Sequence, residues 1–302
     1  MWSPSADVET PRGGGLRVAP RAGAAGEPVP LEEAQDAGRY GEKAVQLGVA
    51  RRAGLPVPAG VALPASLVEA VASGDRSARR RVERARAELG TGPVAVRSSA
   101  IGEDSTDASF AGQHVTVLNA DDVVAAVEQV VASTREGAVA AYRGRLGQPG
   151  SSGVGVVVQR LVPARVAGVL FTCDPVTGAD ELVVEASWAL GEAVVGGMVT
   201  PDLYRLSPDG ELRGTWPGRK DRAVVAVPGG GTRTVAVPTT EALRPALDAR
   251  ALDRLAALAR RVREVWSGHS DLEWAFSAPD DGLALLQRRP VTAAPTVAGR
   301  TP

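Results

Sequence analysis

The sequence holds a single cysteine, Cys173, so no internal disulfide can form and a stapled, secreted scaffold is excluded. A reducing cytoplasm is the expected setting. No stretch approaches a membrane span, and the opening segment MWSPSADVETPRGGGLRVAPRAGAAGEPVP lacks the apolar core of a signal peptide. Nor is there an excess of either charge. Thirty-four Lys plus Arg stand against 35 Asp plus Glu, for a net charge of −1, so no long-range positive field would gather nucleic acid or an anionic membrane. Aromatic residues are 4% of the chain, and the five tryptophans are scattered rather than set out as a stacking stripe. Lysine is nearly missing: Lys43 and Lys220 are the only two among the 34 basic residues. Such a bias suggests a GC-rich genome, and a lysine kept against it points to a need for a compact, flexible ammonium.

With 302 residues and 44% hydrophobic content, the chain can bury a large core as one two-lobed unit or two packed domains. Residues 1–27 are rich in Gly, Pro, Ala and Arg without apolar periodicity and are expected to be a flexible tail. A helix is predicted from Ala44 through AVQLGVARRAGL and stopped by GLPVP, followed by a strand at GVALP. A surface helix over 76–89 leads into the strand PVAVRSS. The loop AIGEDSTDASFAGQ, the strand HVTVL and a helix over DDVVAAVEQVVAS follow. After a Gly-Ser break, VGVVVQRLV, AGVLFTCDPVTG, ELVVEASW and GGTRTVAVP read as strands and 251–266 as an amphipathic helix. DLEWAF and GLALLQRRP are predicted as two terminal strands joined by a Pro-Asp-Asp-Gly turn. Strands and helices do not alternate strictly, and no Gly-x-Gly-x-x-Gly follows a first strand, so α+β lobes are expected rather than a Rossmann sheet. The expected lobes are 28–150 and 151–292, with 293–302 as a tail or linker.

Four constellations could carry chemistry. Lys43 at a helix start and Arg97 at a strand end suit phosphate oxygens, although spacing alone favours ordinary surface salt bridges. The loop 101–113 offers amides and hydroxyls, with Thr106, Ser109 and Gly112 among them, and could close over a polyphosphate or simply connect two strands. On the terminal strands, alternation puts Asp271 and Glu273 on one face and Gln287 and Arg289 on one face. If the two faces meet in a cleft, oxygens can hold magnesium while Arg289 neutralises a transferring phosphoryl group; otherwise they form a solvated sheet edge. Residues 159–162, with Gln159, Leu161 and Val162, could present backbone groups to an adenine, and Glu185 and Glu192 could hold a ribose; a plain core strand fits as well. His114 and His269 lack the partners of a nucleophile or ligand, and Cys173 reads as a packing residue. WPGRKDR, with Arg219 and Lys220, reads as a surface turn from which Lys220 could approach a nucleotide.

In order, GEKAVQLGVARRAGLPVPAGVALP, VAVRSSAIGEDSTDASFAGQHVTVLN, VVVQRLVPARVAGVLFTCDPVTG, VVEASWALGEAVVGGMVTPDLY and DLEWAFSAPDDGLALLQRRPVT resemble the nucleotide-binding domain of the phosphoenolpyruvate synthase, pyruvate phosphate dikinase and rifampin phosphotransferase family. The resemblance implies an ATP-grasp fold with ATP between two lobes. It implies Lys43 and Arg97 on phosphates and the loop with Thr106, Ser109 and Gly112 as a lid. It also implies Gln159, Leu161 and Val162 at the adenine, Glu273 and Gln287 on Mg2+, and Arg289 on the phosphoryl group. In that family ATP is converted to AMP through a phosphohistidine domain, and nothing here resembles the phosphohistidine motif. The expected acceptor is a small molecule or a histidine on a separate partner protein, with no nucleic acid and no membrane as partner. The alternatives are a non-catalytic ATP-binding regulatory module and an excised domain of a larger dikinase. One departure stands out, Gly41-Glu42-Lys43, which puts a carboxylate beside the expected phosphate lysine.

Overall fold

The computed structural model describes residues 26–102, 115–144, 153–278 and 280–291, with 137–144 as backbone only. The first sheet contains β1 (Val29–Pro30), β2 (Gly60–Leu63), β3 (Val94–Ala100), β4 (Thr116–Ala120) and β5 (Val154–Arg160), in the order β1-β2-β5-β3-β4, all antiparallel. Helices cover it on both sides, which is why VGVVVQR in β5 and VAVRSSA in β3 run almost continuously buried instead of alternating. On one side α3 (Ala65–Ala72), α4 (Arg76–Glu88) and α5 (Val123–Gly144) close a core of Leu63, Leu67, Val82, Val96, Val127 and Val156. Asp75 starts α4, its carboxylate accepting from the amides of Ser77 and Ala78 and so satisfying two of the helix's orphan donors. On the other side lie α1 (Ala37–Tyr40) and α2 (Glu42–Arg52).

The chain leaves β5 through 161–163 and enters a six-stranded antiparallel sheet. Its strands are β6 (Ala164–Phe171), β7 (Leu182–Trp188), β8 (Asp202–Leu206), β9 (Leu212–Trp216), β12 (Ser270–Ser277) and β13 (Leu283–Pro290), in the order β13-β12-β6-β7-β8-β9. β5 follows the expected lobe boundary at 151 yet pairs with β2 and β3, so the crossing between sheets comes at 161–163. Between β9 and β12 the chain makes a separate hairpin, β10 (Arg222–Ala226) with β11 (Thr232–Ala236), and the helix α8 (Ala249–Val265); α6 (Glu192–Val195) and α7 (Thr239–Ala242) are single turns. Leu252, Leu255, Ala256, Leu258, Ala259 and Val262 form the apolar stripe of α8, buried against Leu170, Val184, Tyr204, Trp274 and Phe276 of the sheet. Ala44, Leu47 and Ala50 of α2 belong to the same cluster as Val157 of the first sheet and Leu285 of β13, so one continuous core ties the lobes together.

One expectation is overturned here. Lys220 is not in an exposed turn and does not reach the cleft described below: it is fully buried, its Nζ 2.5 Å from Oδ1 of the equally buried Asp202 and 3.2 Å from the carbonyl of Gly218. Asp202 accepts further from the amides of Gly218 and Ala246 and from the Tyr204 hydroxyl. With both oxygens engaged, the ion pair holds β8 to the segments before β10 and α8, outside that cleft.

Candidate active site

A cleft of about 390 Å3 opens between the two sheets, within the size range of small-molecule sites. Its floor is the face of the second sheet turned away from α8. Strand pairing puts Gln287, Glu273, Val169 and Glu185 in one cross-strand row over β13, β12, β6 and β7, with Arg289 opposite Asp271 in the next. Thus the two faces read from the terminal strands are one face. A bulge falls between Glu273 and Trp274, because Glu273 pairs with Gln287 and Trp274 with Leu285, which leaves Leu286 over. The carbonyl of Leu286 accepts from Nη1 of Arg97 at 3.1 Å, so the irregularity in one lobe receives a side chain from the other.

The charged end of the cleft is built from both lobes. Arg97 is buried, 3.6 Å from Oε2 of Glu273, and its Nε has no hydrogen-bond partner among the described residues. Burial pulls the Arg97 guanidinium below its ordinary pKa, opposed by Glu273 and reinforced by Arg289. Arg289 donates from Nη2 to Oε1 of Glu273 at 3.1 Å, and with its amide oxygen turned inward Gln287 accepts from the same nitrogen at 2.8 Å. Lys43, the second residue of α2, is buried and donates from Nζ to the carbonyl of Ser98 at 2.8 Å. Gly41 permits this approach. It has φ 79°, and a Cβ there would lie 2.1 Å from the carbonyl oxygen of Ser99, so the helix can start against β3 only without a side chain. Three cations and one carboxylate meet here, a surplus of positive charge in a partly dry site.

The other end is apolar, lined by Leu118, Leu161, Val162, Leu190, Val195 and Met198. Gln159 and the chain through 160–162 form its edge. Gln159 Nε2 donates to the carbonyl of Pro58 at 3.3 Å, and the Leu161 amide to Pro93 at 3.0 Å. Glu192, in the turn of α6, lines the same wall, and burial raises its pKa.

Of the residues singled out from the sequence, Lys43, Arg97, Gln159, Leu161, Val162, Glu192, Glu273, Gln287 and Arg289 line this one cleft. Glu185 does not line it, though it shares the row of Glu273 two strands away; burial raises its pKa. Thr106, Ser109 and Gly112 of the expected lid, and His114, lie outside the described residues, as do most of the 1–27 and 293–302 tails. Asp271 carries the largest carboxylate shift in this region. Burial pushes it up to about 6, with Arg289 pulling it down and Glu273 and Glu185 adding to the rise. The lining residues Leu118, Leu190 and Met198 escaped the sequence reading, since a single apolar residue carries no signal of what it faces. Among the described residues no group of three or more His, Cys, Asp or Glu side chains is placed to hold a metal, and no helix is long and apolar enough to cross a membrane.

The model of the pyruvate phosphate dikinase AMP/ATP-binding domain family matches residues 60–301. The chain belongs to that family. Its two-lobed α+β architecture with a cleft between the lobes is what the ATP-grasp resemblance implies. A probable phosphoenolpyruvate synthase of Pyrococcus abyssi is 38% identical over 216 residues, which cover 66% of this chain and 26% of that protein. A rifampicin phosphotransferase of a Streptomyces species is 40% identical over 203 residues, 66% and 23% of the two chains. A prodigiosin synthesizing transferase of Serratia marcescens is 35% identical over 284 residues, 84% and 32%. The chain thus spans about a quarter to a third of the length of these dikinase-family relatives. Among solved structures, an N5-carboxyaminoimidazole ribonucleotide synthetase in complex with ADP matches at TM-score 0.38 and 13% identity, over 83% of this chain and 45% of that one. A D-alanine–D-alanine ligase from Bacillus anthracis matches at 0.37 and 10%, over 83% and 56%. Membership of the dikinase family does not rest on these two.

Proposed function

We propose that this chain binds Mg-ATP between its lobes and acts in phosphoryl transfer of the dikinase type, with AMP as product. One observation carries the reading: in a chain of this family, the cleft is apolar at one end and gathers Lys43, Arg97 and Arg289 around Glu273 and Gln287 at the other. An adenine suits the apolar end beside 159–162, with Glu192 at the ribose, and a triphosphate suits the three cations. The loop with Thr106, Ser109 and Gly112 would close over the phosphates.

Magnesium fits the donor set, since one carboxylate and one amide oxygen, Glu273 and Gln287, face each other, and this hard cation takes few protein ligands beside phosphates and waters. Bound there, it would neutralise charge on the phosphates. The residues of the chain supply the rest. Arg289 and Arg97 present planar forks to equatorial phosphoryl oxygens, and Lys43 adds a compact charge. One phosphoryl group then passes to a histidine on a separate protein or to a small molecule, and the other to water or inorganic phosphate, leaving AMP with phosphate or pyrophosphate as the released products. The phosphotransferase and synthase names of the relatives support this class without naming the acceptor.

The test is incubation with Mg-ATP, with and without candidate acceptors and neighbouring gene products, followed by chromatography of ATP, ADP and AMP. AMP is expected. ADP as sole product would replace the dikinase reading by simple γ-transfer, and tight ATP binding without turnover in every mixture would point to a regulatory module.

A further inference from the structure

The hairpin of β10 and β11 is a sheet of its own, yet it is fastened to opposite walls of the cleft, through its strands to the second lobe and through its tip to the first. Midway along β10 the amide of Leu190 donates to the carbonyl of Val224 at 3.1 Å, and at the start of β11 Thr232 Oγ1 lies 3.4 Å from Oε2 of Glu192. Leu190 and Glu192 line the cleft from the second lobe. At its tip, residues 227–231 meet Asn119 at the end of β4, next to Leu118, which lines the cleft from the first lobe. Asn119 Nδ2 donates to the carbonyls of Val227 and Gly231, both at 2.7 Å, and the amide of Gly231 donates back to the Asn119 carbonyl at 2.8 Å.

Both partners are shaped for this contact. Asn119 is more than nine-tenths buried and holds φ 54°, a left-handed conformation that asparagine tolerates better than most residues. The tip is Val-Pro-Gly-Gly-Gly, and all three glycines have positive φ. At Gly230 a Cβ would come within 2.8 Å of the Asp121 Cβ, so the hairpin can seat on the first lobe only with glycine there. Leu118, Leu161, Leu190 and Val224 pack together beneath the hairpin, and the first three of these line the apolar end of the cleft.

We propose that Asn119 is a positioning residue for nucleotide binding: it locks the hairpin tip to the first lobe and thereby fixes how far the Leu190–Glu192 wall stands from Leu118 across the apolar end. This deepens the nucleotide reading above and rests on it. Asn119 does not line the cleft, and Lys43, Arg97 and Arg289 hold the phosphate end without it. Loss of the lock should therefore weaken what binds through base and sugar and spare what binds through phosphate alone.

The experiment compares the full chain with Asn119→Gly, which keeps the left-handed backbone while removing both amide donors, and with Thr232→Val, which cuts the link between the same hairpin and Glu192 on the opposite wall. Dissociation constants are measured for Mg-ATP and for inorganic tripolyphosphate, with circular dichroism to establish folding. About a tenfold weakening or more for ATP in Asn119→Gly is expected, with tripolyphosphate within about twofold of the parent. A smaller loss for ATP in Thr232→Val is expected too. ATP affinity unchanged in a folded Asn119→Gly, or equal losses for both ligands, would overturn the positioning role while leaving the nucleotide site standing. A parent protein that binds no ATP at all would sink the nucleotide reading itself.

Discussion

Replacing Lys220 by methionine removes the positive half of an ion pair that has no access to water. Lys220 and Asp202 are each fully buried, and the 2.5 Å contact is supplemented by a bond from Lys220 to the Gly218 carbonyl. Methionine nearly fills the volume of the lysine stem, so little of the loss comes from a cavity. What remains is a buried carboxylate with three neutral donors, the amides of Gly218 and Ala246 and the Tyr204 hydroxyl. Breaking a buried pair from one side costs about 3–5 kcal/mol, and the three remaining donors put the expectation at the lower end, about 3 kcal/mol. That is a large part of the ~5–15 kcal/mol that holds a domain folded. For a chain of this size it corresponds to a fall in Tm of about 5 °C. Urea unfolding followed by tryptophan fluorescence reads the loss directly. The double variant Lys220→Met with Asp202→Asn should recover part of it, because no charge is left stranded and an amide oxygen still accepts from the remaining donors. A Lys220→Met protein within about 1 kcal/mol of the parent would refute the reasoning, as would a double variant weaker than the sum of the single ones.

Other perturbations separate chemistry from folding. Arg289→Ala should lower turnover by about two to four orders of magnitude through lost stabilisation of the transferring group, and unchanged turnover would remove Arg289 from the mechanism. Leu255→Ala, in the middle of the buried stripe of α8, should cost about 2–5 kcal/mol by the same unfolding assay and leave ATP affinity alone. Asp271 provides a pH test. Its folded pKa of about 6 lies above the unfolded value, so the native state holds the proton more tightly and stability falls as pH rises from about 4 through 6. Asp271→Asn should therefore match the parent near pH 4 and exceed it by on the order of 2–3 kcal/mol above pH 7; a pH-independent difference would contradict the assigned cause.

Legibility in the sequence follows the range of the interactions involved. The terminal strands announce themselves because their alternation is local: Asp271 and Glu273, then Gln287 and Arg289, differ by two residues and so must share a face. The register that puts Glu273 against Gln287 is not local, and neither is the bulge that offers the Leu286 carbonyl to Arg97. Lys220 shows the converse. Gly, Pro and three charges around it spell an exposed turn, but its environment is set by Asp202, which waits 18 residues earlier on a different strand. Asn119 closes β4 without any local mark of function, and only the Gly-Gly-Gly run more than a hundred residues later hints that something must come very close. Cys173 is buried as expected, and burial pushes its thiol up, away from a reactive thiolate.

Calorimetric titration of Mg-ATP into the full chain and into a Lys43→Met, Arg97→Met variant tests the central claim most directly. One saturable site per chain is expected in the parent, with affinity lower by about a hundredfold or more in the variant, at the scale of two charge-assisted phosphate contacts. No binding to the parent, or equal binding to a variant that remains folded, would contradict it.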